Sequence, residues 1–175
     1  MAIGDSGKIW KTVGLADPFQ PVQHSLTTRK LNHIFGKHDA RIWIAGDSGT
    51  VLFSENSGQT WTKIPVPTNL NLFGGTISDS TVWLCGESGT ILYSTDEGET
   101  WTADNSGTSE NLRGIAASGQ TVFCAGEKGV IRKLNLLTDA NQKANRTEAS
   151  ITIRQNEISV QNSGTTSVQI RVLSP

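Results

Sequence analysis

A segment of about forty residues recurs four times along this chain, and that recurrence restricts the fold more than any other property of the sequence. Its best-preserved copy is GESGTILYSTDEGETW, residues 86–101. Gly86-Glu87-Ser88-Gly89 reads as a two-residue turn bracketed by glycines, which tolerate the positive φ of a tight reversal. Residues 90–93 are branched or aromatic and suit a strand. Ser94, Asp96, Gly98, Thr100 and Trp101 follow at fixed spacing. An Asp there can accept hydrogen bonds from backbone N–H groups about two residues on and fold a loop onto itself. Gly98 allows a bend that a side chain would block. Trp101 is large enough to anchor the outgoing strand between neighbouring sheets.

Forty residues earlier the unit returns as Gly46-Asp47-Ser48-Gly49, a strand over 50–53, and Ser54, Asn56, Gly58, Thr60 and Trp61. Forty residues later the turn Gly126-Glu127-Lys128-Gly129 and its strand return without the loop, Leu134 standing where Ser94 would be. Near the N-terminus Gly4-Asp5-Ser6-Gly7 and Ile9-Trp10 repeat it again without the loop. This period suits four-stranded propeller blades. Residues 31–69 and 70–110 each hold four strands. Residues 1–29 begin in mid-blade, with a fourth strand expected over 22–27, and 111–134 supply three strands of a last blade.

The second strand of each blade shows why the sheets must stack. Ile42 and Ile44 oppose Trp43 and Ala45; Val82 and Leu84 oppose Trp83 and Cys85; Val122 and Cys124 oppose Phe123 and Ala125. Both faces are apolar, so both are covered. The column Trp43, Trp83, Phe123 is therefore expected in the core. Cys85 and Cys124 fall one position apart in the repeat register, so they point to opposite faces of their strands. Buried thiols are expected rather than a disulfide.

The expected class is all-β: a propeller-like array of about four blades, two complete and two incomplete, over residues 1–134. A polar connector follows over 135–149. Residues 150–175 alternate apolar and polar positions, with a turn expected at Asn162-Ser163-Gly164, and read as a small C-terminal β segment for closure, oligomerisation or attachment. A net charge of −1 leaves no electrostatic footprint for nucleic acid. No run reaches transmembrane length. MAIGDSGKIW lacks the apolar stretch of a secretory leader, so a cytoplasmic or virion-associated location is expected.

The Ser-x-Asp-x-Gly-x-Thr-Trp loop resembles the Asp-box, or BNR repeat, of a β-propeller superfamily. Residues 84–94 (LCGESGTILYS), with Leu112-Arg113-Gly114-Ile115 and residues 122–129 (VFCAGEKG), are similar to the photosystem II stability/assembly factor family. The resemblance implies a ring of about seven blades acting as a binding scaffold, with the box as a folding element. Sialidases, xyloglucan-cleaving glycosidases, sorting receptors and phage structural proteins share the same box. Two whole and two partial blades do not make seven. The ring therefore closes within the chain, is shared among copies, or is completed by another protein.

Asp5, Asp47, Glu87 and Glu127 occupy one repeat position and would form an arc of acid on one rim, for a basic partner, for a cation, or simply facing water. Arg113, on an inner strand, could face the central channel and is a binding candidate. The only tyrosine, Tyr93, aligns with Phe53 and is explained by packing, so the nucleophile of a sialidase is missing. His24, His33 and His38 show no metal-ligand spacing, and the glycine-rich turns are explained by the hairpin repeat rather than by phosphate binding. No catalytic residue, metal or cofactor is expected. The expected role is a non-catalytic structural and interaction protein, within a larger assembly such as a phage tail or injection particle. Its partners would be a protein, copies of itself or a surface glycan. A free protein-binding scaffold and a glycan-binding or sialidase-like module are the alternatives.

Overall fold

A computed structural model of the protein describes residues 1–12, 14, 16–38, 40–118, 121–135, 149–154, 157–162 and 167–171, the last three as backbone strands. Among these residues, four antiparallel sheets are laid out in chain order. The first holds β1 (Ala2–Ile3), β2 (Ile9–Lys11) and β3 (Gln20–Pro21). The second holds β4 (Leu31–His38), β5 (Arg41–Gly46), β6 (Thr50–Ser54) and β7 (Thr62–Lys63). The third holds β8 (Leu72–Ser78), β9 (Thr81–Gly86), β10 (Ile91–Ser94) and β11 (Thr102–Asp104). The fourth begins with β12 (Leu112–Ser118), β13 (Thr121–Gly126) and β14 (Ile131–Asn135). It continues in line through β15 (Ala149–Arg154), β16 (Glu157–Asn162) and β17 (Ser167–Arg171). The fold is all-β and propeller-like. Most of the connector expected over 135–149 and most of the turn expected at Asn162-Ser163-Gly164 lie outside the described residues.

Strand alternation turns this layout into layers of core. In β5 and β6, Ile44 pairs with Leu52 on the face toward the first sheet, while Trp43 pairs with Phe53 and Ala45 with Val51 on the face toward the third. We call these the leading and trailing faces. Ile9 joins Leu31, Ile44 and Leu52 between the first and second sheets. Trp43, Ala45, Val51 and Phe53 meet Leu72, Val82, Leu84 and Leu92 at the next junction. Trp83, Cys85 and Ile91 meet Leu112, Val122, Cys124 and Leu134 at the third.

Three expectations change. Phe123 is not core: it is 42% exposed, against 2% for Trp43 and 1% for Trp83. It lies on the trailing face of the fourth sheet, where no described sheet follows, and the Lys133 ammonium stands 6.0 Å from its ring centroid. The last strand of the first sheet is Gln20–Pro21 rather than residues 22–27, paired as Trp10 with Pro21 and Lys11 with Gln20. Proline is acceptable there because β3 is an edge. The turn after each second strand is three residues long, not two. In Glu87-Ser88-Gly89, Ser88 and Gly89 take φ of 53° and 71°, while Gly86 is extended at −170°. Gly86 is small for another reason: a Cβ would overlap the Asn71 carbonyl.

The cysteines point as their register requires, yet they share one junction, because opposite faces of adjacent sheets look at each other. Both are buried and free. Burial raises both thiols, Cys124 to about 12. The thiolate is the reactive form, so both are expected to react with a disulfide reagent only at the rate of unfolding. Immediate labelling of either in the folded chain contradicts this placement.

Candidate interaction surface

Turns β5–β6, β9–β10 and β13–β14 lie on one rim, and the loops β6–β7 and β10–β11 on the other. The chemistry of the first rim starts from a bulge. The register of β4–β5, β8–β9 and β12–β13 slips at the second inner-strand residue, which is left out of the ladder. Such bulges re-aim a side chain. Those residues are Asn32, Phe73 and Arg113.

Two of them meet the acid of their own blade. Asn32 donates from Nδ2 to Asp47 at 2.7 Å and to the Leu72 carbonyl of the next blade at 3.0 Å. Arg113 donates to Glu127 from Nε at 3.0 Å and Nη2 at 2.5 Å. Its guanidinium also lies 4.1 Å from the Phe73 ring centroid, a cation–π contact across the junction. Asn111 adds a third donor to Glu127 at 3.1 Å. The Glu127 carboxyl is held below its ordinary value, by Arg113 first and Asn111 second. Phe73 cannot bond, and Glu87 instead accepts the Asn71 N–H at 3.1 Å. Asp5 lies 3.9 Å from the exposed Lys30 ammonium.

Each of these acids faces a donor on an inner strand or just before it. Arg113 and Glu127 come together as one exposed pair. Asp5, Asp47 and Glu87 stay on separate blades. Sequence reading missed the donors Asn32, Asn71 and Asn111. A signal was available in the pattern Thr-x-x-Asn-Leu, which occurs at 68–72 and 108–112.

That pattern also ties blade to blade. The Asn71 side chain accepts the Ser48 N–H of the preceding blade at 3.0 Å, and Asn111 accepts that of Ser88 at 3.0 Å. Beneath each bond sits a glycine with positive φ. A Cβ on Gly7, Gly49 or Gly89 would overlap the carbonyl of Thr27, Thr68 or Thr108 respectively.

On the opposite rim the two loops follow one plan. Ser94 accepts the Gly98 N–H at 2.7 Å and donates to Asp96 at 2.7 Å. Asp96 accepts the Thr100 N–H at 2.9 Å, four residues on rather than two, and the Thr100 hydroxyl. Ser54 and Asn56 likewise accept the Gly58 and Thr60 N–H groups, but the Asn56 amide donates to the Thr60 hydroxyl instead of accepting from it. Gly98 has φ 93°, and a Cβ there would strike the Trp43 ring of the preceding blade. Trp101 packs edge-on to Trp43 at 6.1 Å and donates to the Gly98 carbonyl. In the sister loop, Gly58 faces Met1 and Trp61 packs at the first junction. Arg41 adds a bidentate pair with Glu97 at 2.5 and 2.7 Å, from the second blade to the third. No signal in the sequence pointed to it.

The bonds from Thr100, then that from Ser94, lower Asp96 from 3.8 to about 2. A depressed folded-state pKa stabilises above the unfolded value, and that gain is lost as pH falls through the folded one. Between pH 4 and 2, Asp96→Asn is therefore expected to flatten the decline of the urea midpoint relative to wild type. Equal slopes refute the role, and Asn56 shows that an amide fits such a loop.

Among the described residues no three His, Cys, Asp or Glu side chains could hold a metal ion together. No described helix is long and apolar enough to cross a membrane.

The profile of a family described as the DUF6242 beta propeller domain matches residues 2–116. No curated protein sequence matches the chain. Among solved structures, YCF48 bound to D1 peptide aligns at TM-score 0.55 and 16% identity, over 81% of this chain and 55% of that one. YCF48 from Cyanidioschyzon merolae aligns at 0.55 and 16%, over 94% and 60%. An ancestral GH74 enzyme aligns at 0.52 and 11%, over 87% of this chain and 27% of its own. The chain spans 55–60% of the length of the two YCF48 chains. At these identities the likeness is one of fold.

Proposed function

Because the chain belongs to the DUF6242 beta propeller domain family, we propose that it is a non-catalytic scaffold that binds protein partners inside a larger assembly. The observation that carries this reading is the use made of the rim acids. Asp47, Glu87 and Glu127 accept bonds from Asn32, Asn71, Asn111 and Arg113 of the inner-strand ring. Paired carboxylates that hydrolyse glycosides need one acid kept protonated beside a free base, whereas Glu127 is held ionised by Arg113. These carboxylates act as fasteners. The likeness to YCF48 bound to D1 peptide supports a protein ligand. The loops Ser54–Trp61 and Ser94–Trp101 support the Asp-box superfamily as the wider relationship, through the bonds Ser94 and Asp96 make.

A particle such as a phage tail or injection apparatus is the setting that suits the trailing face around the exposed Phe123, against which no described sheet packs. A virion-associated or cytoplasmic location accompanies that reading. Velocity sedimentation of a lysate of the source cells tests it. The chain is expected in fractions far heavier than its 18.8 kDa, with no turnover of fluorogenic glucosides or sialosides. Recovery only as a free chain, or glycoside turnover by the pure protein, overturns it.

A further inference from the structure

Three junctions between consecutive sheets are built on one plan, and the fourth sheet carries the trailing half of that plan with nothing described against it. Phe123 stands where Trp43 and Trp83 are buried. Ala125 is exposed where Ala45 and Cys85 are fully covered. Gly129 has the positive φ of Gly49 and Gly89, but no carbonyl of the described residues lies over it. Gly114 likewise meets no described residue where Gly74 faces Ile115 and the Arg113 carbonyl of the next blade.

The first sheet carries a leading half. Ala2 pairs with Trp10 as Ile44 pairs with Leu52. Leu52 is fully buried against the preceding sheet. Ala2 is exposed and Trp10 half-buried, its ring lying over its own Gly4. Ile3 and Ile9 point the other way, into the first junction. The face of the fourth sheet thus continues a series of three established interfaces. A described surface with the matching register is that of the first sheet.

We infer that a second copy of this chain places its Ala2–Trp10 face against the Phe123–Ala125 face of the first, forming a fourth junction of the same kind. The contact is head-to-tail, so it closes into a ring when the rotation per chain divides a full turn. The inference rests on the scaffold reading and names one partner for it.

Sedimentation equilibrium of the pure full chain from about 1 to 100 µM, the range of a moderate protein contact, is the test. Reversible association is expected. Phe123→Asp is expected to weaken it at least about thirtyfold, as for the central residue of an interface. Gly114→Phe fills the same face without entering its own core and is expected to act alike. Trp10→Asp blocks the opposite face, and circular dichroism establishes that each variant is folded. A head-to-tail contact makes one further demand. Phe123→Asp and Trp10→Asp chains, each monomeric alone, must form a dimer when mixed, because each keeps one intact face.

A wild-type chain that stays monomeric overturns the inference. So does association that survives Phe123→Asp and Gly114→Phe, or a mixture that does not pair. A chain monomeric alone yet sedimenting with heavy particles refutes the second copy and leaves the scaffold standing. Association of the pure chain, with free chain alone in the lysate, does the reverse.

Discussion

Trp83→Ala is expected to lower the unfolding free energy by about 3–5 kcal/mol, the range for emptying a buried indole site. The same change at the equivalent Phe123 is expected to cost under about 1 kcal/mol, as for substitutions at exposed positions. The two residues occupy one repeat position on second strands of the same kind. They differ in what lies beyond the sheet. Trp83 is 1% exposed, packs 5.0 Å from the Tyr93 ring, and is sealed by Leu112, Val122 and Cys124 of the fourth sheet. Phe123 is 42% exposed. A domain of this size is stable by about 5–15 kcal/mol, so the first change removes a large share and the second a small one. Urea titration at low protein concentration, with unchanged slope, measures both. Equal losses would mean that the trailing face of the fourth sheet is covered in the single chain.

The second large effect separates two costs that usually arrive together. Gly89 and Gly129 have φ of 71° and 73° in the same three-residue turn. Alanine at either pays the left-handed penalty of about 1–2 kcal/mol. At Gly129 that is the whole expected loss, because a Cβ there meets no described residue. At Gly89 the Cβ is driven into the Thr108 carbonyl and toward the Ser106 hydroxyl. Overpacking adds about 1–3 kcal/mol, so the total is expected near 2–5 kcal/mol. The blade-to-blade bond from Ser88 to Asn111 next to it is expected to open as well, read by faster hydrogen exchange at Ser88. Equal losses at the two glycines would show that the carbonyl yields freely and that the wedge does not hold the blades.

The repeat made the layering legible, because alternation in residues 42–45 and 82–85 demands cover on both faces and only stacked sheets supply it. The loops at Ser54–Trp61 and Ser94–Trp101 were legible as self-folded turns, although the N–H that the Asp96 or Asn56 oxygen reaches lies four residues on rather than two. Phe123 was misplaced for a simple reason. A face reads as apolar whether or not a further sheet follows, and periodicity carries no information about what terminates a stack. Gln20–Pro21 was missed because proline argues against a strand unless the edge is known in advance. The rim was half legible. Asp5, Asp47, Glu87 and Glu127 stood out at one register position, but their partners Asn32 and Arg113 reach them through bulges, and a bulge leaves no mark on an alternation pattern.

The bonds from Ser48 to Asn71 and from Ser88 to Asn111 carry a consequence for synthesis. Each turn is locked by a residue that lies about 23 positions later in the chain. On the ribosome a blade therefore emerges complete in its own hairpins but unlatched, and it is fastened only when the start of its successor clears the exit tunnel. Growth is then vectorial, each new inner strand closing the sheet behind it, in the nearest-neighbour manner of repeat proteins. A nascent chain stalled so that residue 110 but not Asn111 has cleared the tunnel should hold the second blade latched and the third still open at Ser88.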